Sequence, residues 1–176
     1  DSRSIKQGDL FVAIKGENFD GHDFIGQALE KGAVGIVSEK SLSKKLNYLK
    51  TKNNLDFLKI LAQENRNMFH GQIVAITGSN GKTTTKEISY LLLGFLTDKK
   101  SVFKSPKNWN NELGLSLSLL GLNRKHKIGI FEIGTNRPGE IYLLSNFLKP
   151  DYGVITNIGR SHLENLKNLD GVAKEK

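Results

Sequence analysis

The stretch Ile73-Val74-Ala75-Ile76-Thr77-Gly78-Ser79-Asn80-Gly81-Lys82-Thr83-Thr84-Thr85-Lys86-Glu87 decides the fold. Its four leading apolar residues read as a buried strand. A glycine turn follows directly, and Ile88, Leu91, Leu92 and Phe95 then recur at helical spacing. Strand, glycine turn, Lys-Thr and helix in that order form a phosphate-binding loop. Gly78 and Gly81 let the backbone wrap an anion with its N–H groups inward. The new helix adds its positive N-terminal end. Lys82 supplies a point charge for the terminal phosphates of a nucleotide, and Thr83 a hydroxyl for Mg²⁺. Only Ser79 and Asn80 separate the glycines, so the loop is shorter than the common G-x-x-x-x-G-K-[ST] form. A glycine turn that merely joins strand to helix is the competing reading; the flanking elements argue against it.

The same alternation extends in both directions. Residues 10–14 read as a buried strand, and 16–21 as a polar loop. Phe24, Ile25, Ala28 and Leu29 recur at helical spacing before Gly32, and 33–37 is a second strand. Residues 46–49 suit a short strand. In a helix over 55–68, Leu55, Leu58, Leu61 and Ala62 share a face. Beyond the loop, 128–133 reads as a strand, Ile141, Leu144 and Leu148 as a helix ending before Pro150, and Val154-Ile155 as another strand. The expected fold is α/β: a small N-terminal α/β unit over 1–70, then part of a P-loop ATPase domain with a mostly parallel sheet over 71–176. Because the chain opens on Asp1 rather than Met and shows no helix stop after Lys176, both ends are expected to be incomplete.

Composition excludes several classes. No apolar run approaches the ~18–20 residues that span a bilayer, so no membrane insertion is expected. With no Cys, a disulfide scaffold and a thiolate metal site are excluded, and a cytoplasmic location fits. The net charge of +8 admits nucleic acid, an acidic surface or a phosphorylated ligand. The basic residues are scattered in short pairs, as in a lysine-rich background, so no specific nucleic-acid partner is expected.

Several strings together resemble a known family. Residues 76–87 (ITGSNGKTTTKE) are similar to the ATP loop of the Mur ligases, the ATP-dependent amino-acid ligases of peptidoglycan precursor synthesis. Residues 1–3 (DSR), 8–13 (GDLFVA) and 19–24 (FDGHDF) resemble the family's N-terminal domain. Residues 108–114 (NWNNELG), 132–141 (EIGTNRPGEI) and 156–164 (TNIGRSHLE) resemble the branch that joins D-alanyl-D-alanine to UDP-N-acetylmuramoyl-tripeptide. They match less well the branch that adds a diamino acid to the dipeptide precursor.

The resemblance implies ATP and Mg²⁺ as cofactors, an acyl-phosphate intermediate, a UDP-MurNAc-peptide and D-Ala-D-Ala as substrates, and a monomer. It implies that Gly78, Ser79, Asn80, Gly81, Lys82, Thr83 and Thr84 hold ATP. Thr83, Glu132 and His162 are the implied metal residues, and Lys82, Glu132, His162 and Lys176 the catalytic set. Lys176 falls where the family carries a carbamylated lysine, a change that requires a neutral amine. Ser2, Arg3, Asn18, His22, Asn111, Asn136, Thr156 and Asn157 fall at substrate-cleft positions. Local readings compete: a salt bridge for Glu132, a structural role for His162, a frayed end for Lys176 and a helix cap for Asn111. Phe11, Phe19 and Phe24 are expected in the core, and His70 and His126 at the surface. A diamino-acid ligase and a non-catalytic P-loop regulatory module remain alternatives. The family's closing domain is not in this sequence, so residues 1–176 alone are expected to show little ligase activity.

Overall fold

A computed structural model describes residues 2–16 and 18–176. Asp1, of the DSR string, and Glu17, in the 16–21 loop, lie outside the described residues. The chain forms two compact units divided between Ile60 and Leu61.

The first unit is a parallel three-stranded sheet of β1 (Leu10–Val12), β2 (Gly35–Ser38) and β3 (Tyr48–Lys50), in that order. Phe11 pairs with Ile36, and Ile36 with Tyr48. Helix α1 (Ile25–Glu30) follows a 3-10 turn whose cap, Asp20, accepts from the His22 amide. Phe11, Ala13, Ile25, Ala28, Ala33 and Ile36 form the core. Phe19 and Phe24, expected in that core, are instead 72% and 37% exposed and meet edge to face at 6.5 Å. They flank the Asp20 turn, and its capping bonds, not the rings, set the local path. Helix α2 (Asn54–Asn67) runs across the division between the units.

The second unit carries β4 (Gln72–Thr77), α3 (Lys82–Leu96), β5 (Val102–Lys104), α4 (Glu112–Leu120), β6 (Ile128–Glu132), α5 (Glu140–Leu148), β7 (Tyr152–Ile155), α6 (Leu163–Leu166) and α7 (Leu169–Glu175). Its sheet is parallel throughout, in the order β5-β6-β4-β7. Alternate residues on each central strand face opposite layers, as the two-residue period requires. Ile73 and Ala75 of β4 join Phe131 of β6 against Leu115 and Leu119 of α4 and Leu144 and Leu148 of α5. Ile76 and Ile130 join Val102 on the other face, with Tyr90 and Leu93 of α3 beside them. A parallel sheet covered on both faces is the doubly wound solution.

Two features were not legible. Strand β5 is a three-residue edge ending on Lys104, too short to show a period. In α3, the stripe of Ile88, Leu91, Leu92 and Phe95 turns away from the sheet, each at least half exposed. The face that packs inward carries Lys86, Tyr90 and Leu93. Among the described residues, no helix is long and apolar enough to cross a membrane.

Phe131 is fully buried, its ring centroid 5.6 Å from that of Phe103. Phe131→Ala should cost the second unit about 3–5 kcal/mol, read as a lower urea midpoint.

Candidate active site

In the order β5-β6-β4-β7, the chain leaves β4 toward β5 and leaves β6 toward β7, in opposite directions across the sheet. The crevice at the carboxyl ends of β4 and β6 is therefore the ligand position of an open α/β sheet. Residues 77–81 leave β4 into it, and Glu132 ends β6 beside it. Gly78 has φ +144°, and a Cβ there would lie 1.9 Å from Thr156 Oγ1, so only glycine fits. Gly81 has φ +78° and caps α3, whose first-turn amides point into the crevice by helix geometry. Lys82 Nζ lies over the loop and donates to the Gly78 carbonyl at 2.7 Å.

The loop is braced from across the sheet. Asn157 Oδ1 accepts from the Asn80 amide at 3.0 Å, and its carbonyl accepts from the Ser79 amide at 3.1 Å. Thr156 Oγ1 donates to the Asn80 carbonyl at 2.6 Å. Ser79 Oγ donates to the Gly159 carbonyl and accepts from its amide, each at 2.9 Å. Thr156 and Asn157, expected on the substrate side, thus spend their polar atoms on the loop. Gly159 and Ser161, 3.0 Å from Ser79 Oγ, belong to the same brace and were missed by the sequence reading. The Thr77 hydroxyl, buried at the base of the loop, has no hydrogen-bond partner among the described residues. A ligand oxygen or water would satisfy it.

Glu132 is 2% exposed and tied from several elements. Its Oε2 accepts from Thr83 Oγ1 at 2.7 Å and its Oε1 from Asn110 Nδ2 at 3.0 Å. Its amide donates to Ser105 Oγ at 3.2 Å. Lys86 Nζ, fully buried, stands 3.8 Å from Oε2. Among the described residues, no three His, Asp or Glu side chains cluster to hold a metal. The Thr83–Glu132 oxygen pair suits Mg²⁺, which takes one or two protein ligands and completes its shell with waters and phosphate oxygens.

A cavity of about 350 Å³ is lined by Lys82, Asn110, Asn111, Asn136, Glu140 and His162, with an apolar wall of Leu143, Leu144 and Phe147. Asn111 also caps α4, its Oδ1 accepting from the Gly114 amide at 2.9 Å, as the helix-cap reading expects. His162 sits at φ +52° at the start of α6 and lines the same cavity. Thr84 is exposed in the first turn of α3. Glu175 accepts from the Gly139 and Ile141 amides at 2.6 and 2.9 Å and from Thr135 Oγ1 at 3.1 Å. These bonds fix the last turn of α7, and with it Lys176. Burial and the neighbouring Lys82 charge push the Lys176 amine below its ordinary pKa.

In the first unit, Ser2 is buried and Arg3 and Asn18 are exposed. His22 is committed within that unit. Its Nδ1 lies 2.6 Å from Asp20 Oδ1, and its Nε2 accepts from the Glu39 amide at 3.3 Å. That leaves neither ring nitrogen for a ligand. The Lys40 ammonium, then the His22 amide and ring, hold Asp20 well below the usual carboxylate range.

Residues 76–176 match the Mur ligase middle domain, and residues 1–70 the catalytic domain of the Mur ligase family. The chain is 37% identical to the UDP-N-acetylmuramoyl-tripeptide--D-alanyl-D-alanine ligase of Bacillus subtilis (strain 168), over 100% of this chain and 38% of that protein. It superposes on a crystal structure of MurF from Acinetobacter baumannii with a TM-score of 0.89 at 34% identity, covering 100% of this chain and 38% of that one. The MurF ligase of Thermotoga maritima in complex with ADP gives 0.84 at 41% identity, over 99% and 40%. The chain thus spans about two fifths of the length of these relatives.

Burial raises the pKa of Glu140, but the Asn136 and Arg137 amides and the Thr135 hydroxyl outweigh it and hold the group below its ordinary 4.5. A depressed carboxylate stabilises the fold above its unfolded pKa and loses that contribution as pH falls through the folded value. Glu140→Gln should cost about 1 kcal/mol at pH 7. The deficit should vanish in acid below the folded pKa, as urea midpoints at each pH would show.

Proposed function

The chain belongs to the Mur ligase family, and from that premise we propose that it carries the ATP-loop side of a ligase joining D-alanyl-D-alanine to UDP-N-acetylmuramoyl-tripeptide. A free carboxylate is a poor electrophile. An oxygen of the tripeptide carboxylate attacks the γ-phosphorus of ATP, ADP leaves, and an acyl phosphate forms. The incoming amine nitrogen then attacks the acyl carbon, sheds a proton, and inorganic phosphate leaves with the bonding pair. Both reactants are anionic, so the site must supply positive charge.

This division of labour follows the geometry. The 78–84 loop and the first turn of α3 cradle the phosphates, with Lys82 swinging from the Gly78 carbonyl to the terminal phosphate. Thr83 and Glu132 would hold the metal, which neutralises β- and γ-phosphate charge when bound. The cavity lined by Asn111, Asn136 and His162 takes the reacting carboxylate and amine. Residues 1–70 would bind the UDP moiety, with Ser2, Arg3 and Asn18 as candidate contacts and His22 shaping the loop. Residues 71–176 would bind ATP, and the enzyme would work as a cytoplasmic monomer.

The observation that carries this reading is the Thr83 hydroxyl 2.7 Å from the buried Glu132 carboxylate, at the mouth of the loop that holds Lys82. The test is ligation by the protein that contains this chain, given ATP, Mg²⁺, the tripeptide precursor and D-Ala-D-Ala. Product should form, and Lys82→Ala should lower kcat on the order of 10²-fold or more. Ligation of only a diamino acid to the dipeptide precursor would overturn the substrate assignment. Unchanged turnover in Lys82→Ala would overturn the catalytic one.

Lys176 is proposed to react as its neutral amine with CO₂, forming an N–C bond and releasing a proton, so that a cation becomes a carbamate anion. Burial, and after it the Lys82 charge, favours the neutral amine. A carbamate resonance should therefore appear under isotope-labelled bicarbonate and weaken in Lys82→Met at the same pH.

A further inference from the structure

Lys86 is the largest fully buried side chain of the second unit. Nothing in the phosphate-loop pattern calls for a cation there, because Lys82 already supplies the charge that meets phosphate. Burying an ammonium is costly unless its donors are matched. Lys86 Nζ donates to the Lys107 carbonyl and stands 3.8 Å from Glu132 Oε2 and 3.9 Å from Glu87 Oε1. Of its three donors one meets the Lys107 carbonyl, and the two carboxylates stand at ion-pair range.

Each contact belongs to a different part of the site. Lys86 lies three residues after Thr83 on α3, so both side chains leave the same helix face. Both approach Glu132 Oε2, Thr83 at 2.7 Å and Lys86 at 3.8 Å. Lys107 lies in the loop between β5 and α4. It adopts φ +47°, a left-handed conformation that a lysine seldom takes, and its carbonyl meets the Lys86 ammonium. Three residues further along that loop, Asn110 donates to Glu132 Oε1. Asn110 and Asn111 then line the cavity.

We infer that Lys86 is a positioning residue that locks the 105–111 loop and the Glu132 carboxylate together, so that metal–nucleotide and acceptor cleft share one geometry. The inference rests on the proposed nucleotide site. Were Thr83 and Glu132 to take up a metal, Lys86 beside Oε2 and Asn110 on Oε1 would keep the carboxylate in place. Partners that orient a metal ligand from behind govern its affinity without touching the metal.

The chain has one tryptophan, and Trp109 sits in the locked loop between Lys107 and Asn110. Its backbone packs on α4 closely enough that a Cβ at Gly114 would lie 2.8 Å from Trp109 Cα. The part of the fluorescence that Trp109→Phe removes therefore reports the loop. The experiment compares wild type, Lys86→Met and Lys86→Arg by acrylamide quenching of Trp109 without nucleotide, and by calorimetric ADP binding in Mg²⁺ and in EDTA. Lys86→Met should expose Trp109 to quencher. It should also lose about tenfold or more of the affinity that Mg²⁺ adds, with binding in EDTA unchanged. Lys86→Arg should restore much of both.

Wild-type quenching and an intact Mg²⁺ gain in Lys86→Met would overturn the inference. So would an equal loss of affinity with and without Mg²⁺. If Lys86→Met does not fold, Asn110→Ala cuts the same loop from Glu132 while leaving Lys86 in place. It must show the same loss of the Mg²⁺ gain, and an unchanged gain overturns the inference. If wild type binds no ADP at all, the nucleotide reading falls, and the Trp109 comparison, which needs no nucleotide, decides the role of Lys86 alone.

Discussion

Glu132 is a carboxylate withdrawn from water at the end of a central strand, and a group of that kind can stay there only if its oxygens are matched. The matching partners are spread along the chain. Thr83 and Lys86 come from α3 and Asn110 from the loop before α4, while Ser105, the residue after β5, accepts from the Glu132 amide. Satisfying one carboxylate therefore ties α3 to the 105–111 loop, and the amide of the same residue adds the end of the edge strand. The same requirement leaves an oxygen-lined position beside the phosphate loop. Structure and chemistry meet at this residue because a polar group that is costly to bury is also one a hard cation can use.

The sheet order makes that position possible. Sequential strands β4, β5, β6 and β7 are rearranged as β5-β6-β4-β7, so β4 is central, with Ile76 paired to Glu132 and Thr77 to Ile155. The phosphate loop was legible in the sequence because its parts are contiguous: strand, glycines, Lys-Thr and helix lie within one short window. Its brace was not. The contacts from Thr156, Asn157 and Gly159 to Ser79 and Asn80 span 76 to 80 residues of chain. Only the register of β7 against β4 brings them together. Thr156 and Asn157 follow β7 and so lie at the carboxyl end of the sheet. What they touch there depends on a pairing that no local pattern encodes.

The misplaced side chains share one physical cause. Helical spacing shows which residues lie on one face but not which face is buried. In α3 the greasier stripe faces away from the sheet, while the inward face accepts a lysine because Glu132 and the Lys107 carbonyl receive it. Likewise, Phe19 and Phe24 yield to a turn held by Asp20, whose carboxylate gathers the His22 amide, the His22 ring and the Lys40 ammonium. In both places a charged group with several partners decides the local arrangement. Hydrophobic patterning alone would rank those residues the other way.

The end of α7 extends this logic to Lys176. A seven-residue helix has little stability of its own. Its last turn is held because Glu175 accepts the amides of Gly139 and Ile141 at the N-terminus of α5, where the helix dipole favours a negative charge. The Thr135 hydroxyl adds a further donor. Anchoring Glu175 sets the position of the adjacent, half-buried Lys176. Its amine is held where burial and the Lys82 charge both disfavour protonation. Glu175 itself pulls the Lys176 pKa up, and burial and the Lys82 charge outweigh it.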